Sequence, residues 1–150
     1  MSRSPQFTVR RVSWNEAGDV LRSIRKIVFV EEQSVPADLE WDGLDAQCLH
    51  VLAETATGEA IGTGRLLPDG HIGRMAVLRH WRGRGVGGGI LEELIAAAAA
   101  AGHANAVLNA QTHAIEFYSR FGFEVISDEF MEAGIPHRTL RLELIKPKRG

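Results

Sequence analysis

The chain has 150 residues, enough for one domain (1–150) that buries roughly 70% of its unfolded surface and needs no disulfide or structural metal. Its formal net charge of −2 lacks the basic surplus of a general nucleic-acid binder. No apolar run approaches the ~20 residues of a membrane span. Met1 to Gln6 is not followed by an apolar signal core, so the expected setting is the reducing cytosol. The single Cys48 lies in an apolar run, reads as a small buried thiol and has no neighbours at metal-ligand spacing.

Phe7 to Val12 alternates like a strand, and Ser13 to Gly18 supplies turn and capping residues before a helix predicted from about Glu16 to Val30. Val20, Leu21, Ile24, Ile27 and Val28 give that helix one apolar face. Glu31 to Ala46 reads as a polar, acidic connector in which Pro36 sets a turn. Cys48 to Ala53 is a second strand, Thr57-Gly58 a hairpin turn and Ala60 to Leu67 a third strand. Pro68-Asp69-Gly70 signals another turn, with a fourth strand from His71 to Leu78. A helix follows from about Val86 to Ala101, packed through Ile90, Leu91, Leu94 and Ile95, its six alanines serving helix propensity and close approach to a sheet. Ala106 to Ala110 is a fifth strand, Thr112 to Phe121 a short helix, Phe123 to Ile126 a sixth strand and Thr139 to Ile145 a seventh. Lys146 to Gly150 reads as a frayed basic tail.

The junction between the fourth strand and the long helix is the most informative segment. Arg82-Gly83-Arg84-Gly85-Val86-Gly87-Gly88 combines glycines, which let backbone approach a ligand, with arginines that can grip a phosphate through paired hydrogen bonds. The helix N-terminus adds unpaired N–H groups and the positive end of its dipole. The segment reads as a pyrophosphate cradle. No Lys-Ser/Thr follows Gly87, so a Walker-type loop for ATP or GTP is a poor fit. The glycine spacing satisfies the dinucleotide fingerprint, yet no carboxylate stands about twenty residues on, and the loop lies past the midpoint of the chain. The plain alternative is a solvated basic turn that caps a helix.

Two motifs, one after the fourth strand and one after the fifth, give the chain its resemblance to the GNAT superfamily of N-acetyltransferases. Arg82, Gly85 and Gly87 match the superfamily's Arg/Gln-x-x-Gly-x-Gly/Ala loop, and Ala114, Phe117, Tyr118, Gly122 and Phe123 match its A-x-x-F-Y-x-x-x-G-F segment. Gln111 stands where many members have Asn. Val28-Phe29-Val30-Glu31-Glu32-Gln33, with Glu40-Trp41-Asp42 and Asp45, looks like the small ElaA-like branch. The implied fold is α/β (α+β): one mixed, mostly antiparallel sheet of six to seven strands, flanked by about four helices and splayed between the fourth and fifth strands. The implied donor is acetyl-CoA, without a metal. The residues expected to hold it are Met75, Ala76 and Val77 by backbone hydrogen bonds, Arg82, Gly83, Arg84, Gly85, Val86, Gly87 and Gly88 at the phosphates, and Gln111 and Phe117 beyond.

The resemblance makes Tyr118 the acid beside the departing thiolate; its plain alternative is a core aromatic of the short helix. An alkylamine of pKa near 10.4 is neutral in only about one molecule in a few thousand at pH 7, so a base is needed. The sequence offers Glu31, Glu32, Glu40, Asp42, Asp45, His50 and His71, or a water chain. Glu31, Asp42 and Asp45 are candidates for attracting a cationic acceptor, and Arg65 and Arg74 either bind a substrate carboxylate or pair with those acids. The expected partners are acetyl-CoA and a small amine, without nucleic acid or membrane; a homodimer is left open. Two other readings stand beside this one. Arg25, Phe29, Asp42, Asp45 and Arg65 resemble the charged cluster of acyl-homoserine-lactone synthases, but Val35 replaces that family's Trp and the Arg82-Gly85-Gly87 loop is foreign to it. A non-catalytic acyl-CoA-binding module would have no use for Tyr118.

Overall fold

A computed structural model describes residues 6–144. Eight strands form one sheet: β1 (Phe7–Val12), β2 (Leu49–Thr55), β3 (Ala60–Leu66), β4 (His71–Val77), β5 (Asn105–Gln111), β6 (Glu124–Val125), β7 (Phe130–Glu132) and β8 (Ile135–Glu143), in spatial order β1-β2-β3-β4-β5-β8-β6 with β7 paired to β8. The helices are α1 (Trp14–Arg25), α2 (Ala37–Glu40), α3 (Val86–Ala100) and α4 (Ile115–Ser119). All strand pairs are antiparallel except β4–β5. The parallel pair is short: its register covers only His71↔Val107 and Ile72↔Leu108, after which the strands part.

The parting has a local cause. Between the pairs Thr63↔Ala76 and Arg65↔Gly73, β3 has one intervening residue and β4 has two. The extra residue is a β-bulge, which bends and twists its strand. Arg74 sits in it at φ 50°, a left-handed conformation uncommon for a residue with a Cβ.

α3 packs on one face of the sheet through Val86, Ile90, Leu91 and Leu94 and shares a core with Val51, Ala53, Ile72, Leu108 and Leu140. It approaches β3 over Gly62 and Gly64; a Cβ on Gly64 would lie 2.7 Å from Leu94 Cδ1 and 2.9 Å from Ile90 Cγ2. α1 covers the other face, packing Leu21 and Ile24 on Val12, Leu52 and Ala76. It starts at a capping box in which the Ser13 hydroxyl accepts from the Glu16 N–H (3.1 Å) and the Ser13 N–H donates to the Glu16 carboxylate (3.3 Å).

Several boundaries differ from the sequence expectation. The first helix starts two residues earlier because Ser13 caps it, and it runs on past Arg25 as a wider π-helical turn, Lys26–Glu32, closed by the Gln33 N–H donating to the Val28 carbonyl at 3.1 Å. The connector is not plain coil: it contains α2 and a 3-10 turn at Asp45–Gln47. The last strand begins at Ile135, and β7 ahead of it forms a hairpin that the sequence reading missed. Ile145, the basic tail Lys146 to Gly150 and Met1 to Pro5 lie outside the described residues. Among those described, no helix is long and apolar enough to cross a membrane.

Gly64→Val should cost about 1–3 kcal/mol by overpacking against α3, read as a lower urea midpoint with an unchanged slope. An unaffected midpoint would mean that α3 can move off β3 freely.

Candidate acyl-transfer site

Where β4 and β5 part, a cleft of about 720 Å³ opens. β4 and β5 form its floor, Phe29, Gln33 and Leu39 of the π-helical turn and connector one wall, and Glu132, Ile135 and His137 of the β7–β8 hairpin the other. Tyr118 reaches it from α4, directly after β5. The phenol is packed against Phe117 and Phe123, and its hydroxyl donates to the Met75 thioether at 3.7 Å. Burial pushes the phenol up to about 12, so it stays protonated at neutral pH.

The glycine-arginine segment stands at the N-terminus of α3, beyond the end of β4. Gly83 (φ 76°) and Gly85 (φ 85°) adopt the left-handed backbone that glycine tolerates, and each faces open space where a Cβ would sit. Gly85 is the N-cap of a 15-residue helix with no side-chain cap, so the first N–H groups of α3 point into that space. Gly88 lets the first turn approach Phe121, which a Cβ would meet at 3.3 Å, whereas a Cβ on Gly87 would make only an ordinary contact with Phe117. These features suit a phosphate-bearing ligand. The two arginines are already oriented: Arg84 lies 4.9 Å over the Trp81 ring, and Arg82 donates to the Val77 carbonyl (2.9 Å) and forks onto Glu32. The Arg82 hydrogen bond lowers the Glu32 carboxyl.

The charged residues of the connector come together, but with one another. Arg25, only 1% exposed, donates to Glu40 (2.7 Å) and Asp45 (2.6 Å). Arg65, 3% exposed, donates to Asp45 (2.9 Å) and Asp42 (3.1 Å). Arg74 donates to the Leu39 and Glu40 carbonyls (3.2 Å each) and pairs with Glu40 (3.3 Å) and Asp42 (3.4 Å). Three arginines thus meet three carboxylates, and of the two alternatives for Arg65 and Arg74, pairing with the connector acids is the one present. Arg65, with further contributions from a backbone N–H and Arg74, holds the Asp42 carboxyl far below the usual range. Burial alone would raise Asp45, but the hydrogen bonds and charges of Arg25 and Arg65 outweigh it and the carboxyl is lowered. Burial opposes the charge of Arg65 as well, and Asp42 more than offsets this.

The remaining candidates scatter. Glu31 is exposed and lines a separate groove with Ile27 and Arg79. His50 is buried beside Trp14 with Nε2 2.9 Å from the Asp45 carbonyl, and burial lowers its pKa. His71 lines the cleft and meets Asp69 at 3.0 Å. Gln111 donates to Gln33 (3.0 Å) and contacts His113 (2.6 Å), tying the end of β5 to the wall opposite. Glu132, His113 and His137 line the cleft and are not singled out by the sequence; the only signal is Ala133-Gly134 as a turn that leads Ile135-Pro136-His137 into a new strand.

A splayed mixed sheet, with an aromatic hydroxyl in the splay and a glycine-rich helix start beside it, defines an acyltransferase of the GNAT type. A family model described as the acetyltransferase (GNAT) domain matches residues 25–144, and the chain belongs to that family. YjcF of Bacillus subtilis strain 168, known as an uncharacterized N-acetyltransferase, is 42% identical over 118 residues, covering 76% of this chain and 84% of the relative. Among solved structures, ElaA of Escherichia coli superposes with a TM-score of 0.81 at 26% identity, covering 91% of this chain and 99% of its own. An acyl-CoA N-acyltransferase from Pseudomonas aeruginosa gives 0.76 at 31% identity, covering 90% and 97%.

The lowered carboxyls of Asp42 and Asp45 contribute stability that is fully present above the ~4 of an unfolded aspartate and is lost as pH falls through their lower folded values. Asp45→Asn leaves Arg25 and Arg65 short of a counter-charge and should cost about 3–5 kcal/mol at neutral pH. Its unfolding free energy should also fall less steeply than wild type below pH 5. Equal slopes in urea titrations across that range would remove Asp45 from the acid sensitivity.

Proposed function

We propose that the protein transfers an acetyl group from acetyl-CoA to the primary amine of a small molecule or peptide by direct attack in a ternary complex. The observation that carries this reading is juxtaposition: the open edge of β4 and Tyr118 border one splay, and the uncapped N-terminus of α3 lies next to it, Gly87 standing against Val77 at the end of β4 and Phe117 beside Tyr118. In this reading Gly83 to Gly88 and Arg84 hold the pyrophosphate, and Met75, Ala76 and Val77 offer backbone groups to the pantetheine arm. A backbone N–H near Val77 polarises the thioester carbonyl where negative charge develops. Tyr118, whose phenol is too weak an acid to give up its proton outright to a thiolate, donates a hydrogen bond that strengthens as the sulfur leaves. A cationic acceptor is supported by Asp69 and Glu132 on the cleft, since Glu40, Asp42 and Asp45 of the connector are neutralised by arginines.

Gly87→Glu tests the coenzyme site. At the second position of α3 a carboxylate favours the helix by about 0.3–1 kcal/mol, and its Cβ meets Phe117 at an ordinary 3.6 Å. The same charge repels a pyrophosphate. Acetyl-CoA at a hundred times its dissociation constant should stabilise the wild type by about 2.7 kcal/mol. The variant should melt no lower than wild type without the coenzyme and gain nothing from it. An equal gain in both would put the coenzyme elsewhere.

Tyr118→Phe keeps the ring packing and removes the donor. Turnover, followed as free-thiol release with amines, amino acids and peptides as acceptors, should fall by about 10²-fold, the low end for a group that assists proton transfer. Acetyl-CoA affinity should change little. A variant within about twofold of wild type, far short of that range, would return Tyr118 to a packing role.

A further inference from the structure

The reaction needs a group to take the proton of an ammonium, and the arginine-bound carboxylates of the connector are poorly suited. A carboxylate held by two guanidinium groups has its lone pairs engaged and its basicity lowered, as at Asp42 and Asp45. His50 is buried beneath Trp14 with its Nε2 turned to a backbone carbonyl. The opposite wall of the cleft offers a different arrangement.

His137 opens the paired stretch of β8 against β5, directly across from Gln111, the last residue of β5 before the turn to α4 and Tyr118. Its ring is 7% exposed, lines the cleft and stacks on Phe130 at 6.1 Å between centroids. Nδ1 lies 2.7 Å from the Ile135 carbonyl. A carbonyl only accepts, so Nδ1 carries the hydrogen, and in the neutral ring the lone pair is on Nε2. Nε2 faces Glu132 Oε2 at 3.4 Å, and the Glu132 side chain is half exposed on the same cleft. The other ionisable groups lining the cleft are His113, joined to Gln111, Tyr118 on α4, and, from the connector and the β3–β4 side, Glu40, Arg65, Asp69, His71 and Arg74.

We propose that His137 is the general base of the acetyl transfer and that Glu132 binds the acceptor's ammonium and then stabilises the imidazolium. This rests on the acetyltransferase reading above. An ammonium at the mouth of the hairpin donates one N–H to Glu132 and one to Nε2. Transfer of the second proton to Nε2 leaves a neutral amine, whose lone pair forms the C–N bond to the thioester carbonyl. The C–S bond breaks as the tetrahedral adduct collapses; the proton lost from nitrogen at this stage ends on the sulfur, with Tyr118 hydrogen-bonded to the thiolate. The imidazolium, held between the Ile135 carbonyl and Glu132, releases its proton to solvent. Ammonium and thioester become amide, thiol and one free proton, with no oxidant, reductant or metal required.

The test compares wild type, His137→Gln and Glu132→Gln with acetyl-CoA and the best alkylamine acceptor of the panel, from pH 6 to 10. His137→Gln retains an amide that can donate to the Ile135 carbonyl and lacks a basic lone pair. Its kcat/KM should be down about 10²- to 10⁴-fold at pH 7, and the deficit should shrink as pH rises and more amine is already neutral. Its melting shift with acetyl-CoA should equal that of wild type. Glu132→Gln, which alters no buried side chain, should mainly raise the KM for the amine. A His137→Gln deficit that is constant with pH, or a loss of the coenzyme shift, would overturn the base and make His137 structural. If His137→Gln does not fold, an unchanged amine KM and pH profile in Glu132→Gln overturns the pair. Absence of thiol release by wild type with every amine would instead overturn the acetyltransferase reading itself.

Discussion

The bulge in β4 is the constraint on which the site depends. One residue too many between two register pairs forces β4 to twist away from β5, and the residue that absorbs the excess is Arg74, at a backbone conformation that costs an ordinary residue of order 1 kcal/mol or more. Arg74 stays there because its guanidinium is tied to the connector at Leu39, Glu40 and Asp42. The connector is in turn held by Arg25 and Arg65, whose burial is tolerable only with carboxylates beside them. Strand geometry and ion pairs are thus one device: the bulge opens the cleft and the arginines hold its wall in place.

The same device settles where charge is available. With Glu40, Asp42 and Asp45 matched by three arginines, these three connector acids present little uncompensated charge to a ligand in the cleft. The carboxylates on the cleft without an arginine partner among the described residues are Asp69 and Glu132, each next to a histidine. Polarity is set by which acids the fold leaves unmatched, a property of the folded chain that a count of Asp and Glu in the connector does not reveal.

Much of the architecture was legible from periodicity. The α3 stripe of Ile90, Leu91 and Leu94 and the glycines ahead of it placed the helix and its exposed N-terminus, since both depend on local sequence. The two motifs around Arg82 and Tyr118 identified the family for the same reason. The π-helical turn escaped because Lys26 to Glu32 continues an amphipathic helix and nothing in its composition marks a change of pitch. β7 escaped because three residues, Phe130 to Glu132, are too few to show alternation, and its identity as a strand comes from pairing with Pro136 and His137. Pairings between distant residues were beyond reach as well. Arg25 with Asp45, or His137 opposite Gln111, arises from sheet order and connector path, which local pattern does not encode.

The position of β8 has a consequence for the chain as it is being made. β8 lies between β5 and β6, so until Ile135–Glu143 has emerged from the ribosome β5 has one open edge and β6 has no partner in the sheet. An N-terminal sheet of β1 to β4, with α1 and α3 on its faces, can assemble beforehand from largely sequential antiparallel neighbours. The nascent protein therefore passes through a stage with half a sheet and an unpaired edge, a template for pairing with other chains. One late strand both seals that edge and brings the second wall of the cleft, so protection from aggregation and completion of the site arrive with the same nine residues.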